Sequence, residues 1–204
     1  MARLRPLLPA VLLAFCVGVC ALASSAFALA THRSHARSAR TRVCRNTALQ
    51  PTSHDLHLIR TATLCLINRE RAAHGERPLR ANHRLTRAAQ AHSRSMATGD
   101  YFEHDGPGGP GGGTPLTRMR AAGYISSARV GFEVGENIAW ATSTLATPRA
   151  IVAAWMSSPG HRANILNPHY RETGIGVSPH APAALADGQS GAIYTQDFGV
   201  IIRG

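Results

Sequence analysis

Along most of the chain the apolar positions repeat at helical spacing, and towards the C-terminus they gather into short β-prone blocks. From Asp55 to His74, Leu56, Ile59, Leu66 and Ile67 recur with Ala62 and Thr63 between them, and Gly75 follows as a stop, which predicts a first helix. After "GERPLRA", Asn82 is placed to cap a second helix, in which Leu85, Ala88, Ala89, His92, Ser95 and Met96 repeat at three and four and which ends near Gly99. His92 shares a face with Leu85 and Met96 and reads as a packed, hydrogen-bonded histidine rather than a ligand. Thr114-Pro115 and Thr147-Pro148 each pair an N-cap residue with a first-turn proline. They predict one short helix through Arg118, Met119 and Ala122 to Gly123, and another that offers Ile151, Val152 and Trp155 to the core and stops near Ser158-Pro159-Gly160.

The tail changes period. "ETGIGVS" (Glu172 to Ser178) and "AIYTQDFGVII" (Ala192 to Ile202) read as two antiparallel strands joined by the loop "PHAPAALADGQSG". Helices first and strands last indicate an α+β fold, with helices packed on an antiparallel sheet. The stretch "GPGGPGGGTP" is a loop by composition. Its G-x-G-x-x-G spelling at Gly106, Gly108 and Gly111 is not a dinucleotide fingerprint, because no strand precedes it and prolines fill the gaps.

Composition changes this picture at the N-terminus. Arg3 and Arg5, the apolar run "LLPAVLLAFCVGVCALA" and the small-x-small triplet Ala26-Phe27-Ala28 predict a secretory signal over 1–28, cleaved after Ala28, with an uncleaved membrane anchor as the alternative. Residues 29–53 form an arm with five arginines (Arg33, Arg37, Arg40, Arg42, Arg45), no acid before Arg45 and few apolar residues, expected to be disordered. The domain follows at 54–204. All 22 basic residues are arginine, yet from Asn46 onward 15 Arg stand against 11 Asp plus Glu, so the formal +11 is concentrated in the leader and arm. Such an arm suits contact with an anionic envelope surface, or serves as a plain linker. Nucleic acid is not an expected partner, since the arm interleaves no aromatics. Once the leader with Cys16 and Cys20 is removed, Cys44 and Cys65 remain, an even pair most simply read as a disulfide worth roughly 3 kcal/mol.

Three stretches carry candidate chemistry: "YFEHDG" with His104, "EVGENIAW" with Glu136, and "WMSSPGHRANILNPHYRETGIGV" with His161. Two imidazoles and a carboxylate can hold zinc or another divalent metal, with His104 and His161 as its ligands, and can equally hold a water or a polar head group in a cleft. Each stretch reads as a turn beside a helix end, where site residues commonly sit. His104 has a second reading as a helix C-terminal cap. Asn137, Ser158 and Gln196 are further candidates for lining the cleft, and Tyr194, Trp140 and Trp155 are expected to pack.

In this order "LINRERAAHGERPL", "YFEHDG", "GENIAW", "AAWMSSPGHRANILNPHYRETGIGV" and "YTQDFG" resemble the CAP superfamily (cysteine-rich secretory, antigen 5 and pathogenesis-related 1 proteins; the SCP domain), in its bacterial secreted branch. The resemblance runs from about Leu56 to Phe198. It implies a three-layer α-β-α sandwich with a central cleft whose residues are His104, Glu136 and His161. One departure bears on the chemistry. Many eukaryotic members carry a second glutamate about one turn beyond the tryptophan, where this chain has Ser157-Ser158, so a zinc site would rest on three side chains or fewer.

Two function classes remain. One is a monomeric secreted binding module that holds a small apolar ligand, a lipid, a cell-envelope component or another protein without turnover and without a required cofactor. The other is a metal-assisted hydrolase or peptidase in which His104 and His161 hold zinc and Glu136 activates water. No H-E-x-x-H helix is present, and "GQSGA" does not spell the nucleophile elbow G-x-S-x-G.

Overall fold

The computed structural model describes residues 43–127 and 129–202. The leader over 1–28 and the arm's first residues, 29–42, lie outside the described residues.

Helix α1 (Leu56–Ala73) buries Ile59, Ala62, Thr63, Leu66 and Ile67, the stripe expected from its spacing. A two-residue strand β1 (Arg80–Ala81) leads into α2 (His83–Gly99). The Asn82 side chain accepts from the N–H groups of Arg84 and Leu85 and so caps α2. Next come α3 (Pro115–Ala121), strand β2 (Gly131–Thr142), a 3-10 turn at Ser143–Ala146, α4 (Pro148–Ser157) and α5 (Pro159–Leu166). Thr114 and Thr147 cap α3 and α4 as expected, each with proline in the first turn. Strand β3 (Glu172–Ser178), the short helix α6 (Ala183–Ala186) and strand β4 (Gly191–Ile202) complete the chain.

The sheet order is β1-β3-β4-β2. Strand β4 pairs antiparallel with β3 on one side and β2 on the other, and only the short β1 runs parallel to its neighbour β3. Side-chain alternation sorts the two faces. Ala192, Tyr194 and Phe198 of β4 join Ile59, Leu66 and Ile67 of α1 and Ile151, Val152 and Trp155 of α4. On the opposite face Ile193 of β4 and Ile138 of β2 meet Met96 of α2, while Phe132 and Val134 of β2 pack with Leu85 of α2 and Met119 of α3. The result is the expected α-β-α sandwich: α1, α4 and α5 on one side, α2 and α3 on the other. Tyr194 packs in the core and donates its hydroxyl to the Ala146 carbonyl at 2.8 Å.

Two details position the site. Helix α2 lies directly on the backbone of β3: a Cβ on Gly174 would stand 2.0 Å from Thr86 N, and one on Gly176 would stand 2.2 Å from the Ala89 carbonyl carbon. Strand β2 is the sheet's outer strand, and two of its free carbonyls are taken by side chains. Trp155 Nε1 donates to the Ile138 oxygen at 3.1 Å and Asn164 Nδ2 to the Glu136 oxygen at 3.2 Å. The expected Cys44–Cys65 disulfide is present and ties the segment before α1 onto that helix.

Candidate functional site

Glu136 sits in the row Phe132, Val134, Glu136, Ile138, Trp140 that β2 turns towards α2 and α3. It is not at a turn beside a helix end, as its sequence context suggests, but in mid-strand, with its side chain 2% exposed. A carboxylate at that depth needs partners. His104 Nδ1–H donates to Oε1 at 2.8 Å, and Arg118 Nη2 of α3 donates to Oε2 at 2.6 Å. The same Nη2 donates to the His104 carbonyl at 2.9 Å, and Arg118 Nη1 donates to the Gly113 carbonyl. One guanidinium therefore joins β2, the His104 turn and the glycine-rich loop.

His92 lies beneath this network, fully buried, with Nδ1 3.0 Å from the Gly111 oxygen and Nε2 3.0 Å from the Glu103 oxygen. It is the packed, hydrogen-bonded histidine anticipated from the α2 pattern. Its Nε2 is also 4.0 Å from Glu136 Oε1. Burial depresses its pKa more than the Glu136 charge raises it, and a neutral ring can donate to only one of the two carbonyls, both being satisfied only by the imidazolium form. Asp197 of β4 stands opposite Glu136 in register and is entirely buried, and neither carboxyl oxygen accepts a hydrogen bond from the described residues. Burial, reinforced by the Glu136 charge, holds its pKa well above the ordinary carboxylate range. The protonated form of Asp197 is thereby favoured beside the Glu136 charge.

Burial by itself would raise the Glu136 carboxyl. The His104 hydrogen bond and the Arg118 charge outweigh it and hold the pKa below its usual value. The reciprocal hydrogen bond raises His104. Since the folded pKa of His104 lies above the free-imidazole value of 6.5, its proton contributes stability in full below that pH, and the contribution fades as pH rises through the raised value. Titration of the His104 ring by NMR is expected to give a midpoint above 6.5 in the native chain and a downward shift in Glu136→Gln, since the main cause of the rise is then removed. An unshifted midpoint would mean that the hydrogen bond is not formed in solution.

His161 occupies the first turn of α5, half-buried. Burial lowers its pKa, with the His104 charge acting in the same direction, so it is the neutral imidazole of the pair. The other sequence candidates separate from this group. Asn137 neighbours Glu136 on β2, and strand alternation turns it to the opposite face, where Nδ2 donates to the His161 carbonyl and Oδ1 accepts from Asn164 at 2.9 Å. Gln196, its register partner on β4, shares that face; it is fully buried, and its Nε2 lies 3.4 Å from Thr173 Oγ1. Asn137 thus ties β2 to α5, while Gln196 Oε1 is buried without a hydrogen-bond partner among the described residues. Ser158 marks the α4–α5 junction, and its hydroxyl makes no capping hydrogen bond.

The donor set does not fit a zinc centre of three or four protein ligands. Both Glu136 oxygens are taken, and no group of three or more His, Cys, Asp or Glu side chains with metal-holding geometry occurs among the described residues; the Nδ1–H bond of His104 to Glu136 leaves its Nε2 open. The sequence reading missed Arg118 and Asp197 as members of the site. The signal for Asp197 was a lone acid in the otherwise uncharged strand "AIYTQDFGVII". Arg118 carried none, because one arginine on a short helix looks like any other in a chain with 22 of them.

The model of the cysteine-rich secretory protein family, CAP, matches residues 64–198. YkwD of Bacillus subtilis (strain 168) is 36% identical over 133 residues, 65% of this chain and 44% of that protein. An extracellular protein containing an SCP domain from Bacillus anthracis superposes with a TM-score of 0.54 at 28% identity, over 76% of this chain and 44% of that one. An outer surface protein from Borrelia burgdorferi gives a TM-score of 0.54 at 18% identity, over 76% of this chain and 96% of its own, a likeness of fold. The chain thus spans less than half the length of both Bacillus relatives.

Proposed function

The chain belongs to the cysteine-rich secretory protein family, CAP, and from that premise we propose that it is an exported binding module that holds a small or envelope-derived ligand at the His104–Glu136–His161 surface without chemical turnover. The observation that carries this reading is the commitment of Glu136. A general base must have a free oxygen and a pKa close to the working pH. Glu136 has neither: one oxygen takes the His104 proton donor, the other takes Arg118, and its pKa is depressed. What remains at the surface is His104, half exposed, with its Nε2 edge available, beside the neutral ring of His161. Such a pair suits hydrogen bonding to a polar head group. Export is supported by the N-terminal leader pattern and by relatives described as an extracellular protein and an outer surface protein. Among the described residues no helix is long and apolar enough to cross a membrane.

Two measurements on purified chain test the reading together. A panel of peptide and ester substrates is expected to show no turnover above buffer with either the native chain or Glu136→Gln. Zinc bound after dialysis is expected to be well below one ion per chain. Turnover that vanishes in Glu136→Gln would establish a glutamate-driven hydrolase instead. Stoichiometric zinc lost in both His104→Ala and His161→Ala would establish a metal site.

A further inference from the structure

Both ring nitrogens of the buried His92 point at backbone carbonyls of segments that lie far apart along the loop following α2: Nδ1 at Gly111 and Nε2 at Glu103, each at 3.0 Å. A carbonyl oxygen only accepts, so each contact needs an N–H on the ring. The neutral imidazole has one N–H and the imidazolium has two. One proton therefore decides whether His92 holds both segments or one. The two contacts are not equivalent. Nε2 also lies 4.0 Å from Glu136 Oε1, and that carboxylate favours a proton on the nearer nitrogen. The proton that leaves first is the one on Nδ1, and the contact given up is the one to Gly111.

What Gly111 holds is the tip of the glycine-rich loop. The base of the loop is closed independently: Gly106 and Gly113 form a two-way bridge with N···O distances of 3.1 and 3.0 Å, and Arg118 Nη1 donates to the Gly113 carbonyl. Between these ties Gly112 N–H closes a tight turn onto the Gly109 carbonyl at 3.1 Å, with Gly109 and Gly111 at φ of 105° and 82°. The tip rests on α2, where a Cβ at Gly111 would stand 2.4 Å from the Ala91 oxygen. A fixed base and a tip tied to α2 through one imidazole are the parts of a hinged strap.

Groups on every element around the ring bear on its charge. Glu136 of β2 favours the proton and Arg118 of α3 opposes it, while Asp197 of β4 stands beside Glu136 with its protonated form favoured. In the turn after α2, His104 donates to the same Glu136 oxygen, and the Tyr101 ring lies 6.3 Å from His92 with its hydroxyl on Ser95. Burial outweighs the Glu136 charge and holds the ring's pKa below the ordinary 6.5, which puts the closed state on the acid side.

We propose that His92 is a proton-operated latch: its imidazolium ties the tip of the glycine-rich loop to the Glu103 turn, and loss of the Nδ1 proton frees the loop between Gly106 and Gly113 to lift from α2. The device stands independently of what the His104–Glu136–His161 surface binds.

NMR of the purified, nitrogen-15-labelled chain tests it between about pH 5 and about pH 8, the span in which histidines ordinarily titrate. At the acid end both His92 ring nitrogens are expected to be protonated, and as pH rises Nδ1 alone is expected to change. The Gly112 amide, corrected for the intrinsic pH dependence of exchange, is expected to lose about tenfold in protection with the same midpoint, the scale of one hydrogen bond. The Thr195 amide in β4 should show no such step. His92→Gln keeps one N–H group and does not titrate, so the step is expected to vanish there, while it should persist in His104→Gln; thermal melts establish that both variants are folded. The proposal is overturned by a His92 ring that keeps one protonation state across the span, by loss of the Nε2 proton first, or by Gly112 protection that does not follow the His92 midpoint. A step that survives in His92→Gln, or disappears in His104→Gln, overturns it as well. Should His92→Gln fail to fold, the ring and Gly112 titrations in the native chain decide the matter.

Discussion

Replacing Arg118 with methionine is expected to cost about 3–5 kcal/mol of folding stability, the range for breaking a buried ion pair by removing one partner. The reason is what stays behind rather than what is lost. Glu136 remains 2% exposed, with Asp197 opposite it and only the His104 hydrogen bond to compensate. Its carboxylate must then either stay charged in an apolar strand row or take up a proton. The carbonyls of His104 and Gly113 lose their donor in the same substitution, so the loop and the histidine turn loosen with it. Urea denaturation at neutral pH measures the loss. The deficit should shrink as pH falls, because an increasingly protonated Glu136 no longer needs the cation. The double variant Arg118→Met with Glu136→Gln should recover part of it, revealing the coupling of the two residues. A single variant within about 1 kcal/mol of the native chain would mean that water, not Arg118, solvates Glu136.

Gly176→Ala is the second substitution with a large expected effect, about 3 kcal/mol, at the upper end for overpacking a core. The added methyl carbon would stand 2.2 Å from both the Ala89 carbonyl carbon and its oxygen, and 2.4 Å from Gln90 N. These are backbone atoms of a helix interior and cannot rotate aside. Helix α2 must therefore lift from β3, and it carries His92, Ser93 and Met96 with it. Ser93 Oγ would lose its 2.9 Å hydrogen bond to Thr195. Thermal unfolding reads the stability change, and the His104 NMR signal reports whether the site shifts as well. Gly108→Ala is the control: nothing stands within 4 Å of a Cβ there, so a small change is expected. Equal melting temperatures for Gly176→Ala and Gly108→Ala would show that the α2–β3 contact has slack.

Helices α2, α3 and α4 were legible in the sequence because each carries both a period and a punctuation mark, Asn82, Thr114-Pro115 and Thr147-Pro148, whereas the four-residue α6 falls in the stretch read as a loop, too short to show a period. The strands β3 and β4 were legible from composition. Strand β2 was not, for a physical reason. Its inward row Phe132, Val134, Ile138, Trp140 alternates cleanly, but Glu136 interrupts it, and a carboxylate in that row reads as the end of a strand unless its cation is known. That cation lies on α3, 18 residues away. The register also separates Asn137 and Gln196 from Glu136: once β2 and β4 are paired, a one-residue step changes the face, and neighbours along the chain part company in space. The pairing of His104 with Glu136 came from family resemblance and could not have come from periodicity. Strand β1 spans two residues, too few for any pattern.

The sheet offers little purchase at its edges. At one margin β1 is two residues long, and at the other the Ile138 and Glu136 carbonyls are already occupied by Trp155 and Asn164. A strand adding along the middle of β2 would find these two acceptors already spent, and so would a peptide docking there as an extra strand. The middle of that edge is thereby a poor template for edge-to-edge pairing.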